Sequence, residues 1–249
     1  MGGGPDQAYG GVGNEKLYGG DANDILDGGT ANDTMDGGEG SDSYVADVAT
    51  DVVTGIGTSG TDLLTSAVSW TLGATLENLT LTATATLGTG NASNNAITGN
   101  AQANTLTGND GDDSLYGGNA NDSLVGGAGN DSMNGGTGAD SLTGGGAADQ
   151  FDYKATSEST SASQNSVADF NHSQADKFDL TGIDAKSDGT SNDAFSFITT
   201  AFTGHTGELR VIPTTGGMLI EGDTNSDKTA DLVIFVAGAT SIVVGDFLL

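Results

Sequence analysis

The chain has 249 residues, with 34 acidic against 6 basic side chains and a formal charge of −28. That charge excludes nucleic acid as a natural partner, because a phosphate polymer would be repelled, and it disfavours anionic membrane surfaces. There are no cysteines and only two histidines, so disulfides and thiol metal sites are absent and zinc has few ligands to use.

The opening MGGGPDQAYG has neither the basic region nor the apolar run of a signal peptide, and no stretch approaches a membrane span. Residues 1–9 already hold Asp6 at the sixth place of a nine-residue frame. The frame is plain from Gly10 to Val45: GGVGNEKLY, GGDANDILD, GGTANDTMD, GGEGSDSYV. The chain thus begins inside an array, as the excised C-terminal part of a longer protein would, or a chain that has lost an upstream array. Residues 46–89 break the period and predict three or four short strands joined by glycine-containing turns, with Trp70 as a core anchor. From Gly90 the frame returns as GNASNNAIT and GNAQANTLT, with Asn95 and Asn104 at the sixth place. It is strongest from Gly108 to Asp152: GNDGDDSLY, GGNANDSLV, GGAGNDSMN, GGTGADSLT, GGGAADQFD.

Residues 153–249 lack the period. Strands are predicted at Phe195–Ile198, Glu208–Ile212, Met218–Glu221, Leu232–Val236 and Ile242–Val244, as an all-β cap. The fold class is therefore all-β: two parallel β-roll arrays (1–45 and 90–152), a β-rich segment between them (46–89) and a C-terminal β domain (153–249). The spacing favours two separate rolls, each plugged by the aromatic residue at its end, Tyr44 or Phe151.

The phrase has a physical logic. Adjacent glycines turn the backbone sharply, and a lone apolar residue at the eighth place makes a minimal strand with one buried face. Two repeats then close one coil of a roll. The sixth place carries Asp24, Asp33 and Asp42, then Asp113, Asp122, Asp131, Asp140 and Asp149, with Glu15 in the first full repeat. In a roll every second repeat stacks at about 4.8 Å, where two carboxylates repel by about 1 kcal/mol in water and roughly 3–4 kcal/mol at an effective dielectric near 20. A hard cation between coils reverses the sign. Calcium fits, because it takes six to eight oxygens in loose geometry, carbonyls included. Turn carbonyls of Gly19, Gly28, Gly37, Gly117, Gly126 and Gly135 complete the candidate ligand set. On the order of five to eight ions are expected. Asn95 and Asn104 are neutral, so their coils can stack without a cation. Asp223, Asn225, Asp227 and Asp231 alternate in GDTNSDKTAD as in a carboxylate calcium loop, although Lys228 stands where a glycine is expected and no Glu follows at the twelfth place.

These repeats resemble those of the RTX (repeats-in-toxin) proteins secreted by Gram-negative bacteria. The phrases GGGAADQFDY, VADFNHSQADKFDLTGIDA, FTGHTGELRV, EGDTNSDKTADLVIFVAG and VVGDFLL are similar to the C-terminal domain of serralysin-type metalloproteases. The segment from Thr61 to Ala101 is similar to one found between RTX arrays. The resemblance implies a calcium-bound β-roll and export by a type I machine, with an uncleaved C-terminal signal matched by Asp246, Phe247, Leu248 and Leu249. It also implies an extracellular location and an upstream catalytic or adhesive domain in the parent chain.

No catalytic constellation is present. The serralysin zinc motif H-E-x-x-H-x-x-G-x-x-H is missing, His172 and His205 stand alone, and there is no G-x-S-x-G. Two functions are compatible with the residues. One is a calcium-triggered folding and secretion module. The other is an extracellular module for a polysaccharide or a surface, resembling epimerase R-modules or RTX adhesin repeats. The scatter of Lys16, Lys154, Lys177, Lys186, Arg210 and Lys228 weighs against a polyanion unless calcium bridges it.

Overall fold

The computed structural model describes residues 2–55, 59–186 and 193–249. Among them the chain winds as a solenoid whose coils alternate between two faces. One face is a single 11-stranded sheet. Its strands are Gln7–Tyr9, Ile25–Asp27, Ser43–Ala46, Leu63–Ser66, Asn78–Leu81, Ala96–Thr98, Ser114–Asn119, Ser132–Thr137, Gln150–Asp152, Lys177–Asp179 and Phe247–Leu248. Every pairing in it is parallel, and the eighth-place residues lie in register: Leu26 on Tyr44, Tyr44 on Leu64, Leu64 on Leu79. They continue through Ile97, Leu115, Met133 and Phe151 to Phe178.

The opposite face is split. Lys16–Asp21, Thr34–Glu39 and Val52–Thr54 form a three-stranded sheet, and a 10-stranded sheet starts afresh at Trp70–Thr71. The second sheet runs through Leu87–Thr89, Thr105–Asp110, Ser123–Ala128, Ser141–Gly146 and Asn165–Val167. It then takes up Leu232–Ala237, Gly217–Asp223, Glu208–Thr214 and Ser196–Ile198. Only the pairings of Gly217–Asp223 with its two neighbours are antiparallel.

Two expectations change here. Residues 46–89 do not separate two rolls on the first face, because Leu63–Ser66 and Asn78–Leu81 are ordinary rungs between the arrays. Tyr44 and Phe151 therefore plug nothing; each is fully buried with a further rung beyond it. At the C-terminus, Ile242–Val244 is not a strand. The chain makes a 3-10 turn at Val244–Asp246, where the Asp246 carboxylate accepts the Val243 N–H at 2.8 Å, and then adds Phe247–Leu248 to the sheet.

The core is one file of side chains between the two faces. Leu26, Leu64, Leu79, Met133 and Phe151 from one face, and Met35, Leu106, Leu124 and Leu142 from the other, are all fully buried. Each such side chain is worth about 1.5–3 kcal/mol of burial, which is all the apolar driving force a nine-residue repeat has. The acidic side chains at the sixth places are buried as well, and that sets the chemistry.

Candidate metal centre: the carboxylate ladder

The turn that follows each strand delivers the sixth-place residue against the coil behind it. In every case one carboxylate oxygen accepts a backbone N–H from the rung below. Asp24 Oδ1 accepts from Asp6 at 2.7 Å, Asp33 Oδ1 from Glu15 at 2.8 Å and Asp42 Oδ1 from Asp24 at 2.8 Å. In the second array Asp113 and Asp122 accept from Asn95 and Asn104 at 2.7 Å, Asp131 from Asp113 at 2.8 Å, Asp140 from Asp122 at 2.9 Å and Asp149 from Asp131 at 3.0 Å.

The other oxygen, Oδ2, is buried and has no hydrogen-bond partner in all eight predicted aspartates: Asp24, Asp33, Asp42, Asp113, Asp122, Asp131, Asp140 and Asp149. Each of these residues is at most 3% exposed. An unpartnered buried carboxylate oxygen is costly, since even a neutral group left unsatisfied forfeits about 1–3 kcal/mol. Eight at the same place in eight repeats mark something the protein binds.

The glycines show what shape that is. A Cβ on Gly126 would stand under 3.0 Å from Asp131 Oδ2 and 2.6 Å from the Gly144 carbonyl oxygen; Gly19, Gly108 and Gly117 repeat the arrangement with Asp24, Asp113 and Asp122. Gly28 and Gly135 likewise face Asp33 and Asp140, and Gly37 faces Asp42. The first glycine of each phrase is thus required by space: it keeps open a cradle into which a carboxylate oxygen and, in half of the eight rungs, a carbonyl oxygen of the next coil converge.

No organic cation reaches the cradles. The sequence has no Lys, Arg or His between Lys16 and Lys154, and among the described residues every ion pair involves residue 152 or later. Burial therefore acts first on the carboxyls and lifts Asp113, Asp122 and Asp140 to about 6 and Asp149 to about 7. The charge of the next rung adds to this, Asp131 on Asp113 and Asp140 on Asp122. A hard cation with oxygen ligands fits this donor set. Among the described residues no three His, Cys, Asp or Glu side chains gather at one point, so backbone carbonyls would have to supply the remaining oxygens.

The two asparagine rungs act as an internal control. Asn95 Oδ1 accepts the Asn91 N–H at 2.7 Å, and its amide nitrogen donates to the Glu77 carbonyl at 3.1 Å. Asn104 does the same with Asn100 at 2.7 Å and Ala85 at 3.0 Å. At these two rungs N–H groups meet the amide oxygens, and neither Asn95 nor Asn104 leaves a buried atom unpaired.

The ladder also contains rungs that the repeat pattern did not mark. Asp33 donates its N–H to Asp51, Asp42 to Asp62, Asp140 to Asn165 and Asp149 to Asp176, at 2.8–3.1 Å. Asp51 carried a legible signal, standing nine residues after Asp42 with Val53 at the eighth place.

The other candidate set is of a different kind. Asp223 is buried, and its carboxylate accepts the N–H groups of Asn225 at 3.1 Å, Ser226 at 2.8 Å and Lys228 at 3.0 Å. Asp231 accepts from Thr224 and from the Asn225 amide at 2.8 and 3.0 Å, and Asp227 accepts from Thr229 at 2.8 Å. Lys228 adopts the left-handed φ of 69° that the missing glycine would have taken. The loop brings the four residues together, but their oxygens are used by its own N–H groups and none is orphaned.

A profile of the RTX calcium-binding nonapeptide repeat matches residues 2–44, 89–124 and 116–151, in four copies. The chain carries RTX calcium-binding nonapeptide repeats. RTX nonapeptides bind calcium at several sites, which is the cation the ladder's donor set calls for. Among solved structures, the RTX chain is similar to the AlgE6R2 subunit of the mannuronan C5-epimerase from Azotobacter vinelandii. The identity is 20% over 66% of this chain and 91% of that one, with a TM-score of 0.34. The AlgE6R3 subunit of the same enzyme is similar at 18% identity, over 66% of this chain and 78% of that one, with a TM-score of 0.32. No curated protein sequence matches the chain. Among the described residues no helix is long and apolar enough to cross a membrane.

Proposed function

We propose that this RTX chain is a non-catalytic, calcium-dependent folding module that supports the export and stability of a larger secreted protein. The observation that carries the reading is the set of eight buried, unpartnered Oδ2 atoms at the sixth places. In this reading Asp24, Asp33, Asp42, Asp113, Asp122, Asp131, Asp140 and Asp149 hold calcium with the carbonyls of their glycine turns. Residues 1–45 and 90–152 are the two arrays, 46–89 joins them, and 153–249 closes the roll as a serralysin-like domain ending in a type I signal, Asp246 to Leu249.

The mechanism follows from the charge. Without calcium, 34 acidic side chains oppose collapse and the core file is too thin to overcome them. Sites of roughly 10⁻⁴–10⁻³ M affinity stay empty in a calcium-poor cytosol and fill outside the cell. Binding free energy then becomes folding free energy. Folding at the exit also hinders return.

The test is far-UV circular dichroism during a calcium titration from chelator, with magnesium as control. A cooperative coil-to-β transition with calcium and none with magnesium is expected. A β spectrum already complete in chelator and unchanged by calcium would overturn the folding switch. Polysaccharide binding would then be the reading to pursue, by glycan pull-down with and without calcium.

A further inference from the structure

We propose that Asp62 and Glu77, with backbone oxygens of Gly55 and Thr75, form a further calcium site that carries the ladder across the segment between the two RTX arrays. The inference rests on the reading that ladder carboxylates hold calcium, and it extends that chemistry to residues outside any nonapeptide. The repeat profile stops at residue 44 and resumes at residue 89.

The geometry nevertheless repeats. The Asp42 N–H donates to Asp62 Oδ1 at 2.8 Å, as Asp24 donates to Asp42 one rung earlier. The Asp62 N–H donates in turn to Glu77 Oε2 at 2.8 Å, and the Asn78 N–H to the Asp62 carbonyl at 2.9 Å. Asp62 is 6% exposed. Gly55 stands where the first glycine of a phrase stands. A Cβ on it would come under 3.0 Å from Asp62 Oδ2 and 3.4 Å from the Thr75 carbonyl oxygen. The same construction on Gly19 meets Asp24 Oδ2 and the Gly37 carbonyl oxygen at 2.5 Å. The Thr75 hydroxyl adds an oxygen 3.3 Å from the Gly55 nitrogen.

A second observation comes from the rung below. Asp42 is 1% exposed, its Oδ2 has no partner, and its charge bears directly on Asp62, as does that of Glu77. Three carboxylates thus follow one another in a stretch with no basic residue. Where the chain builds a rung without a cation it uses asparagine, at 95 and 104; at 62 and 77 it keeps the acids. The rung is hidden from a nine-residue frame because the coil from Asp42 to Asp62 is 20 residues long and the next, from Asp62 to Glu77, is 15, against 18 within the arrays. A cation here makes the two arrays one cooperative unit.

The experiment counts calcium ions on the full chain by native mass spectrometry and follows calcium-induced folding by circular dichroism. Wild type should fold in one transition. Asp62→Asn and Glu77→Gln should each hold one ion fewer and split that transition into two. Glu77→Gln keeps an acceptor for the Asp62 N–H, so it reports on the site even if Asp62→Asn does not fold. Both variants folding in one transition with the wild-type ion count would overturn this site while leaving the arrays' calcium binding intact. A wild-type chain that binds no calcium would overturn the parent reading itself.

Discussion

Replacing Asp131 by Asn separates two roles that the ladder otherwise combines. Asp131 Oδ1 accepts the Asp113 N–H at 2.8 Å, while Oδ2 is buried beside the Gly144 carbonyl with no partner. The amide oxygen can keep the first bond, and the amide nitrogen puts an N–H where Oδ2 was. Without metal the variant loses repulsion from Asp113 and Asp149, about 1 kcal/mol in water and roughly 3–4 kcal/mol at an effective dielectric near 20 for each neighbour at rung spacing. It also satisfies an oxygen whose isolation costs about 1–3 kcal/mol. The calcium-free fold should gain about 3 kcal/mol with both repulsions at their value in water, and more as the local dielectric falls. With metal the variant loses a charged ligand, so the calcium midpoint of the neighbouring sites should rise. Urea unfolding in chelator, set beside a calcium titration of the same variant, reads both signs. Asp131→Asn that is less stable than wild type in chelator would refute the account of Oδ2 as an orphan awaiting a cation.

Three further outcomes are expected. Gly126→Ala puts a methyl group 2.6 Å from the Gly144 carbonyl oxygen and against Asp131 Oδ2, so it should abolish one cradle and lower the bound-ion count, read by native mass spectrometry. Acid should partly replace calcium. Burial raises Asp113, Asp122 and Asp140 to about 6 and Asp149 to about 7, so their contribution to the metal-free fold is full below the unfolded value near 4 and is lost as pH rises through 6–7. Circular dichroism in chelator should show more β structure at pH 4 than at pH 8, and calcium affinity should fall below about pH 6 as protons compete. Phe247→Ala should cost about 3–5 kcal/mol in saturating calcium, measured by denaturant unfolding. Phe247 is buried with its ring 5.7 Å from Phe178 and 5.9 Å from Phe197, and its strand closes the long sheet.

The arrays were legible because their chemistry repeats at a fixed interval. A buried apolar residue, a turn glycine and a carboxylate must recur every nine residues if equal coils are to stack. Asp62, Asn165 and Asp176 do the same work but follow coils of 20, 25 and 27 residues, measured between hydrogen-bonded rungs. Stacking constrains the rung and tolerates any loop between rungs, so the extra residues erase the interval and leave the contact intact. The 223–231 loop poses the converse question. Alternating Asp and Asn specify oxygens near one another, and spacing alone does not tell whether a cation or a backbone N–H will meet them. In that loop Ser226 and Lys228 take left-handed conformations that turn N–H groups inward. The pairing of Phe247–Leu248 with Lys177–Asp179 spans too much sequence for any local pattern to announce it.

The asparagine rungs also set an order of assembly. Around them Leu72, Leu76, Leu79, Leu81, Ala85, Ile97 and Leu106 are all buried, and the amides of Asn91, Asn95, Asn100 and Asn104 tie successive coils together through carbonyls. Among the described residues, this stretch sets a dense apolar file beside amide rungs at 95 and 104 that leave no buried atom unpaired. It needs the fewest ions to hold its shape. Its flanking strands then offer ready edges on which the next coil can be laid, so each array grows outward from a seed at the centre of the molecule, one cation at a time.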